Sequence, residues 1–76
     1  MPSRNLAEMH AGETGKVVEV NGGHGFKKRL EAMGIRPGMK ITKISGQIMR
    51  GPVIVKVGTA QIAIGFGMAR RVVVEK

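Results

Sequence analysis

Residues 26–38 read FKKRLEAMGIRPG. Phe26, Leu30 and Met33 fall at i, i+4 and i+7, which aligns them on one side of a two-turn helix. The same stretch carries the helix's end. Gly34 suits the left-handed position after the last turn, Ile35 supplies the apolar contact of a Schellman closure, and Pro37 forbids continuation. This helix interrupts a chain whose other apolar segments are short and punctuated by Gly at intervals of about ten residues, the spacing of a small β-barrel or sandwich.

On the N-terminal side, residues 16–20 form a candidate strand. Gly12 and Gly15 launch it, Asn21, Gly22 and Gly23 stop it, and Val18 and Val20 are expected on one face. On the C-terminal side, residues 39–45 alternate imperfectly, because Ile41 and Ile44 have opposite parity. That predicts a bulge or a strong bend. Residues 52–57 place Val53, Val55 and Val57 on one face, residues 60–64 do the same with Ala60, Ile62 and Ile64, and Gly58 and Thr59 form a two-residue hairpin turn between them. Residues 72–75 make a last strand with Val72 and Val74 inward, after a stretch at 65–71 too short for more than a turn of helix. The expectation is a mainly β fold, a small SH3-like five-stranded barrel with one short α-helix after the first strand, formed by residues 1–76 as a single domain. Closure lets short strands share one core and removes exposed edges. An OB-like closure competes less well, since it wants longer strands and a helix between the third and the fourth.

The composition bounds what such a domain can do. A globule of 76 residues buries only about 60% of the surface its unfolded chain exposes, so the core is thin. With no Cys, disulfides, thiolate metal sites and thiol nucleophiles are excluded, and stability rests on apolar packing. Residues 1–15 hold no apolar stretch of signal-peptide length, and the longest uncharged run, at 58–69, is broken by Gly, so a cytoplasmic, unexported protein is expected. Thirteen Lys plus Arg against five Glu give a formal charge of +8, which attracts polyanions, acidic proteins or anionic membrane surfaces. Single-strand binders stack bases on aromatic rings, and this chain has only Phe26 and Phe66, so no specific nucleic acid is expected.

No catalytic constellation emerges. Ser3 and Ser45 are the only serines, His10 and His24 are far apart in sequence, and the acidic residues are five scattered Glu with no Asp. The run of Gly22, Gly23, His24, Gly25, Phe26, Lys27, Lys28 and Arg29 looks at first like a phosphate cradle. No Ser or Thr follows either lysine to ligate magnesium, so a glycine loop turning into a helix explains it better. Neither His has a second ligand at metal-binding spacing, and no resident metal or cofactor is expected. The cations stand out for another reason. Lys27, Lys28 and Arg29 sit in the first turn of the helix, the end where the macrodipole disfavours positive charge, which hints at a contact surface; solvent screening of exposed side chains is the plainer alternative. Met49 and Arg50, in a loop between the middle strands, are either incidental or an adaptable surface for a partner. Arg70 joins them as a candidate contact.

Four blocks carry a resemblance nearly end to end, over residues 6–75: LAEMHAGETGKVVEV, KKRLEAMGIRPGMKI, GPVIVKVGTAQIAIG and MARRVVVE. In this order and spacing the chain resembles the FeoA family of small ferrous iron transport proteins. Arg29, Leu30, Met33, Gly34, Pro37 and Gly38 form the most specific part, the family's corner from helix to strand. The resemblance implies a non-enzymatic, cytoplasmic SH3-like accessory of iron transport, a process of transition metal ion handling. Its implied partner is a FeoB-type membrane permease, engaged through the cytoplasmic GTPase region and so at the inner membrane face. Self-association is left open. Two rivals stand beside it: a basic RNA- or ribosome-binding module, suggested by GETGKVVEV and the charge, and a stand-alone regulatory domain related to the SH3-like part of metal-dependent repressors.

Overall fold

The structure, a computed structural model, describes residues 3–45 and 51–75. In chain order it runs β1 (Arg4–Asn5), a single 3-10 turn (Leu6–Glu8), β2 (Thr14–Val20), α1 (His24–Ala32), β3 (Lys40–Ser45), β4 (Val53–Val57), β5 (Ala60–Ile64), α2 (Phe66–Ala69) and β6 (Val72–Glu75). All strand pairs are antiparallel.

The helix and the hairpin form as their residues dictate. Leu30 is buried on the inner side of α1, with Phe26 and Met33 packed against the core beside it. Gly34 adopts φ +89°, its N–H donates to Glu31 O at 2.9 Å, and the Ile35 N–H reaches back to Leu30 O at 2.9 Å. Those two bonds are the Schellman pair. In the β4–β5 hairpin Val57 faces Ala60 across the Gly58 and Thr59 turn, and Gly58 takes the φ of +62° that a tight hairpin requires.

The five-stranded closed barrel is not what forms. One sheet of six strands runs in the order β1-β6-β2-β3-β4-β5, and β1 and β5 are its two ends rather than neighbours. The added strand is β1, where Arg4 pairs with Val74 and Asn5 with Val73. It is only two residues long, and the chain leaves it at once for the 3-10 turn. There the Asn5 side chain accepts from Glu8 N and the Glu8 carboxylate accepts from Asn5 N, each at 3.0 Å, in a capping box. So short a strand offers no ladder on which β5 could close.

Two irregularities bend the sheet and choose which side chains face in. The register shifts between Val17 and Glu19 in β2, and between Lys43 and Ser45 in β3. The second is the bend that Ile41 and Ile44 predict; Ile41 is buried and Ile44 stands 38% exposed. The first alters the expected pattern, because the extra residue lets Val17 and Val20 both point inward while Val18 is left 37% exposed. Val53, Val55, Val57, Val72 and Val74 are buried as their alternation requires. On β5 only Ile64 is buried; Ile62 is half-buried and Ala60 exposed, because β5 lies at the sheet's end.

Candidate functional site

A glycine corner sets where α1 begins. Gly22 has φ +150°, and a Cβ there would stand 2.6 Å from Phe26 Cδ2, so only glycine lets the ring lie against this turn. Asn21 N donates to Arg71 O at 2.8 Å, and the Arg71 guanidinium lies over the Phe26 ring, 5.4 Å from its centroid. The head of α1 is thereby tied to the turn between α2 and β6, which carries Arg70 and Arg71.

Beside this joint runs a groove of about 290 Å³ between β2 and α1. Val18 and Val20 of β2, with Ile35 and Pro37 beyond the helix, supply apolar lining; Lys27, Arg36, Glu19 and Glu31 supply charge. The groove owes its exposed valine to the bulge in β2. Its size admits a partner's side chains rather than a large cofactor, and its mixed walls suit apolar insertion flanked by ion pairs.

The expected contact residues divide. Lys27 lines the groove, while Lys28 and Arg29 are exposed on the same helix. Arg70 lines a separate polar cleft with Asn5, Gly67 and Arg71. Among the described residues none of these four cations forms a salt bridge. Met49 and Arg50 lie outside the described residues. Also among the described residues, no three His, Asp or Glu side chains come together in a group able to hold a metal ion.

Sequence reasoning missed Lys43. It is only 2% exposed, and its Nζ donates to Met9 O at 2.6 Å and to Ala7 O at 3.0 Å. Its backbone is held too, with Lys43 N donating to Glu13 O at 2.9 Å and Gly12 N donating to Lys43 O at 2.7 Å. Glu13 gathers the segment further, since its Oε1 accepts from Arg4 Nη2 at 2.9 Å and from His10 N at 2.7 Å. Burial pushes the Lys43 ammonium below its ordinary value of 10.5, and the Glu13 carboxylate partly opposes that. The signal lay in parity: Ile41 and Lys43 share a face of β3, so an inward Ile41 carries Lys43 inward with it.

A family model described as the FeoA domain matches residues 4–76. A protein of Methanocaldococcus jannaschii named "Putative Fe(2+) transport protein A" is 40% identical over 70 residues, which cover 92% of this chain and 83% of that one. The crystal structure of an iron uptake regulatory protein, FeoA, matches with a TM-score of 0.90 and 40% identity over 96% of both chains. A manganese-dependent transcriptional repressor matches with a TM-score of 0.87 and 20% identity, over 96% of this chain and 41% of the repressor, which is a likeness of fold.

Proposed function

The chain belongs to the FeoA family, and from that premise we propose that it works by docking on the cytoplasmic GTPase region of a FeoB-type permease. It is a non-enzymatic accessory of ferrous iron uptake. Docking places it in the cytoplasm, against the inner membrane face through the permease. The observation that carries this reading is the β2–α1 groove, where an exposed Val18 shares the lining with Lys27 and Arg36. An apolar side chain of the partner fills the groove, and acidic neighbours meet the cations around it. Lys28 and Arg29 add exposed charge on the same helix, Arg70 is a contact at its separate cleft, and Met49 and Arg50 are retained as contacts from the sequence.

The RNA-binding rival is disfavoured because the chain has only two aromatic rings, both half-buried, and Arg71 already lies over Phe26, which leaves little for a base-stacking platform. The repressor-like rival rests on a likeness of fold.

The test joins uptake to binding. Deleting the gene lowers ferrous iron uptake at constant permease level, and the wild-type gene restores it. A Lys27→Glu, Lys28→Glu double variant, folded as judged by circular dichroism, restores it poorly and binds the purified permease region at least about tenfold more weakly, the scale of a lost charge-complementary contact. Full binding by that variant overturns the docking surface. Unchanged uptake on deletion under iron limitation overturns the accessory reading in this organism.

A further inference from the structure

The two ends of the sheet are unlike. β1 is two residues long and half-buried, whereas β5 is a regular five-residue strand that, among the described residues, is paired on one side only. Natural edge strands are blunted by charged residues, proline, bulges or brevity. β5 reads AQIAI, with no charge and no proline, and its pairing with β4 shows no register shift.

The free backbone groups can be named. Val57 and Ala60 close a two-residue hairpin and so exchange hydrogen bonds, and bonded pairs then alternate along the ladder with non-bonded ones. Val57 with Ala60, Val55 with Ile62 and Val53 with Ile64 are the bonded pairs by this alternation; Gln61 and Ala63, opposite Lys56 and Ile54, turn their N–H and C=O outward. Ile62 packs against the core yet stays half-buried, because among the described residues no strand lies beyond it.

We infer that β5 is a strand-addition site, where an extended acidic segment of a partner protein pairs with Gln61 and Ala63. Charge selects this occupant. Across the outer face Thr14, Thr42, Lys56 and Gln61 form one cross-strand row, with Lys16 opposite Lys40 beside it. Strands lie about 4.8 Å apart, so an acidic residue opposite Gln61 stands two strands, about 10 Å, from the Lys56 backbone and within reach of its side chain. A second copy of this chain is the poorer occupant: it carries a formal charge of +8, and β5 contains no acidic residue to offer Lys56. Backbone bonds supply affinity and the alternate side chains supply selectivity, as in other strand additions. This site is separate from the β2–α1 groove and stands or falls without it.

The probe is a capped hexapeptide alternating glutamate with valine, with its lysine-for-glutamate counterpart as control, each added in millimolar excess to the isotope-labelled full chain. Amide exchange is read residue by residue. The acidic peptide slows exchange at Gln61 and Ala63 by about tenfold or more, as new hydrogen bonds do, and the basic peptide does not. Gln61→Pro removes one outward N–H while sparing the bonds to β4, and Ala63→Lys places a charge on the edge; either abolishes the slowing with the unfolding midpoint nearly unchanged. Unaltered exchange at Gln61 and Ala63, equal slowing by both peptides, or slowing that rises with protein concentration alone overturns the proposal, the last in favour of self-pairing.

Discussion

Lys43 and Lys27 carry the same ammonium group, and the fold uses them in opposite ways. Lys43 points into the sheet's inner side and spends its charge on two backbone carbonyls of the N-terminal segment. Lys27 is exposed on α1, without a salt bridge among the described residues, in the lining of the mixed apolar and charged groove. A cation enclosed and hydrogen-bonded holds the molecule together, whereas one left in solvent costs little and remains available to a partner. The N-terminal segment and the head of α1 are therefore a structural lock and a working surface built from the same residue type.

The largest test of that contrast is Lys43→Ala. It leaves the Ala7 and Met9 carbonyls without their donor and opens space beneath the 3-10 turn, so a loss of about 3 kcal/mol is expected in denaturant unfolding. Lys27→Ala changes stability by no more than about 0.5 kcal/mol. Equal effects of the two substitutions would break the distinction.

A smaller effect sharpens it through pH. The folded state binds the Lys43 proton more weakly than the unfolded chain does, so the unfolded chain holds more protons between the lowered value and 10.5. Stability from this group therefore rises with pH across that window and is fully present only above 10.5. The gap in unfolding free energy between the wild-type chain and Lys43→Ala should widen as pH is raised from neutral toward that value. A gap that narrows would mean the ammonium is favoured, not penalised, by its enclosure.

The smallest expected change lies at the working surface. Arg71→Ala removes an exposed cation over the Phe26 ring and should cost about 0.5 to 1 kcal/mol. Faster amide exchange should appear in the first turn of α1 while the Lys43 region keeps its protection. Equal loosening of both regions would show that the lock and the surface are not independent.

How much of this was legible depends on where each decision is made. The end of α1 and the β4–β5 hairpin are local decisions, written into Gly34, Ile35, Pro37 and the Gly58 and Thr59 turn, and they read directly. β1 was not legible, because Arg4 and Asn5 have no strand character of their own and become a strand only when β6 lies beside them. Without β1 the sixth strand and the open order of the sheet were out of reach. Unbroken alternation puts Val18 and Val20 on one face; the bulge that separates them and leaves Val18 exposed depends on the partner strand. Lys43 was passed over because lysine is almost never enclosed without partners, and its partners lie 34 and 36 residues away. At the candidate site Lys27, Lys28 and Arg29 were identifiable as a run of charge, but their expected place in the first turn is not what forms: α1 begins at His24, three residues before Lys27, and Arg29 lies in its last turn. Their relation to the groove was not legible.

The order of the sheet also bears on how the chain is made. β6 is the last strand in sequence, yet it lies between β1 and β2. A ribosome releases the N-terminal end first, so β2 emerges with one side unpaired and stays so until residues 72–75 arrive. During that interval Val17 and Val20 have no cover from Val72 and Val74, and the nascent chain displays an apolar, hydrogen-bonding margin absent from the finished protein. Cutting the chain after α2 would remove an interior strand rather than trim an end. Loss of residues 72–75 should therefore send the polypeptide to proteolysis or aggregation instead of yielding a shortened, working domain.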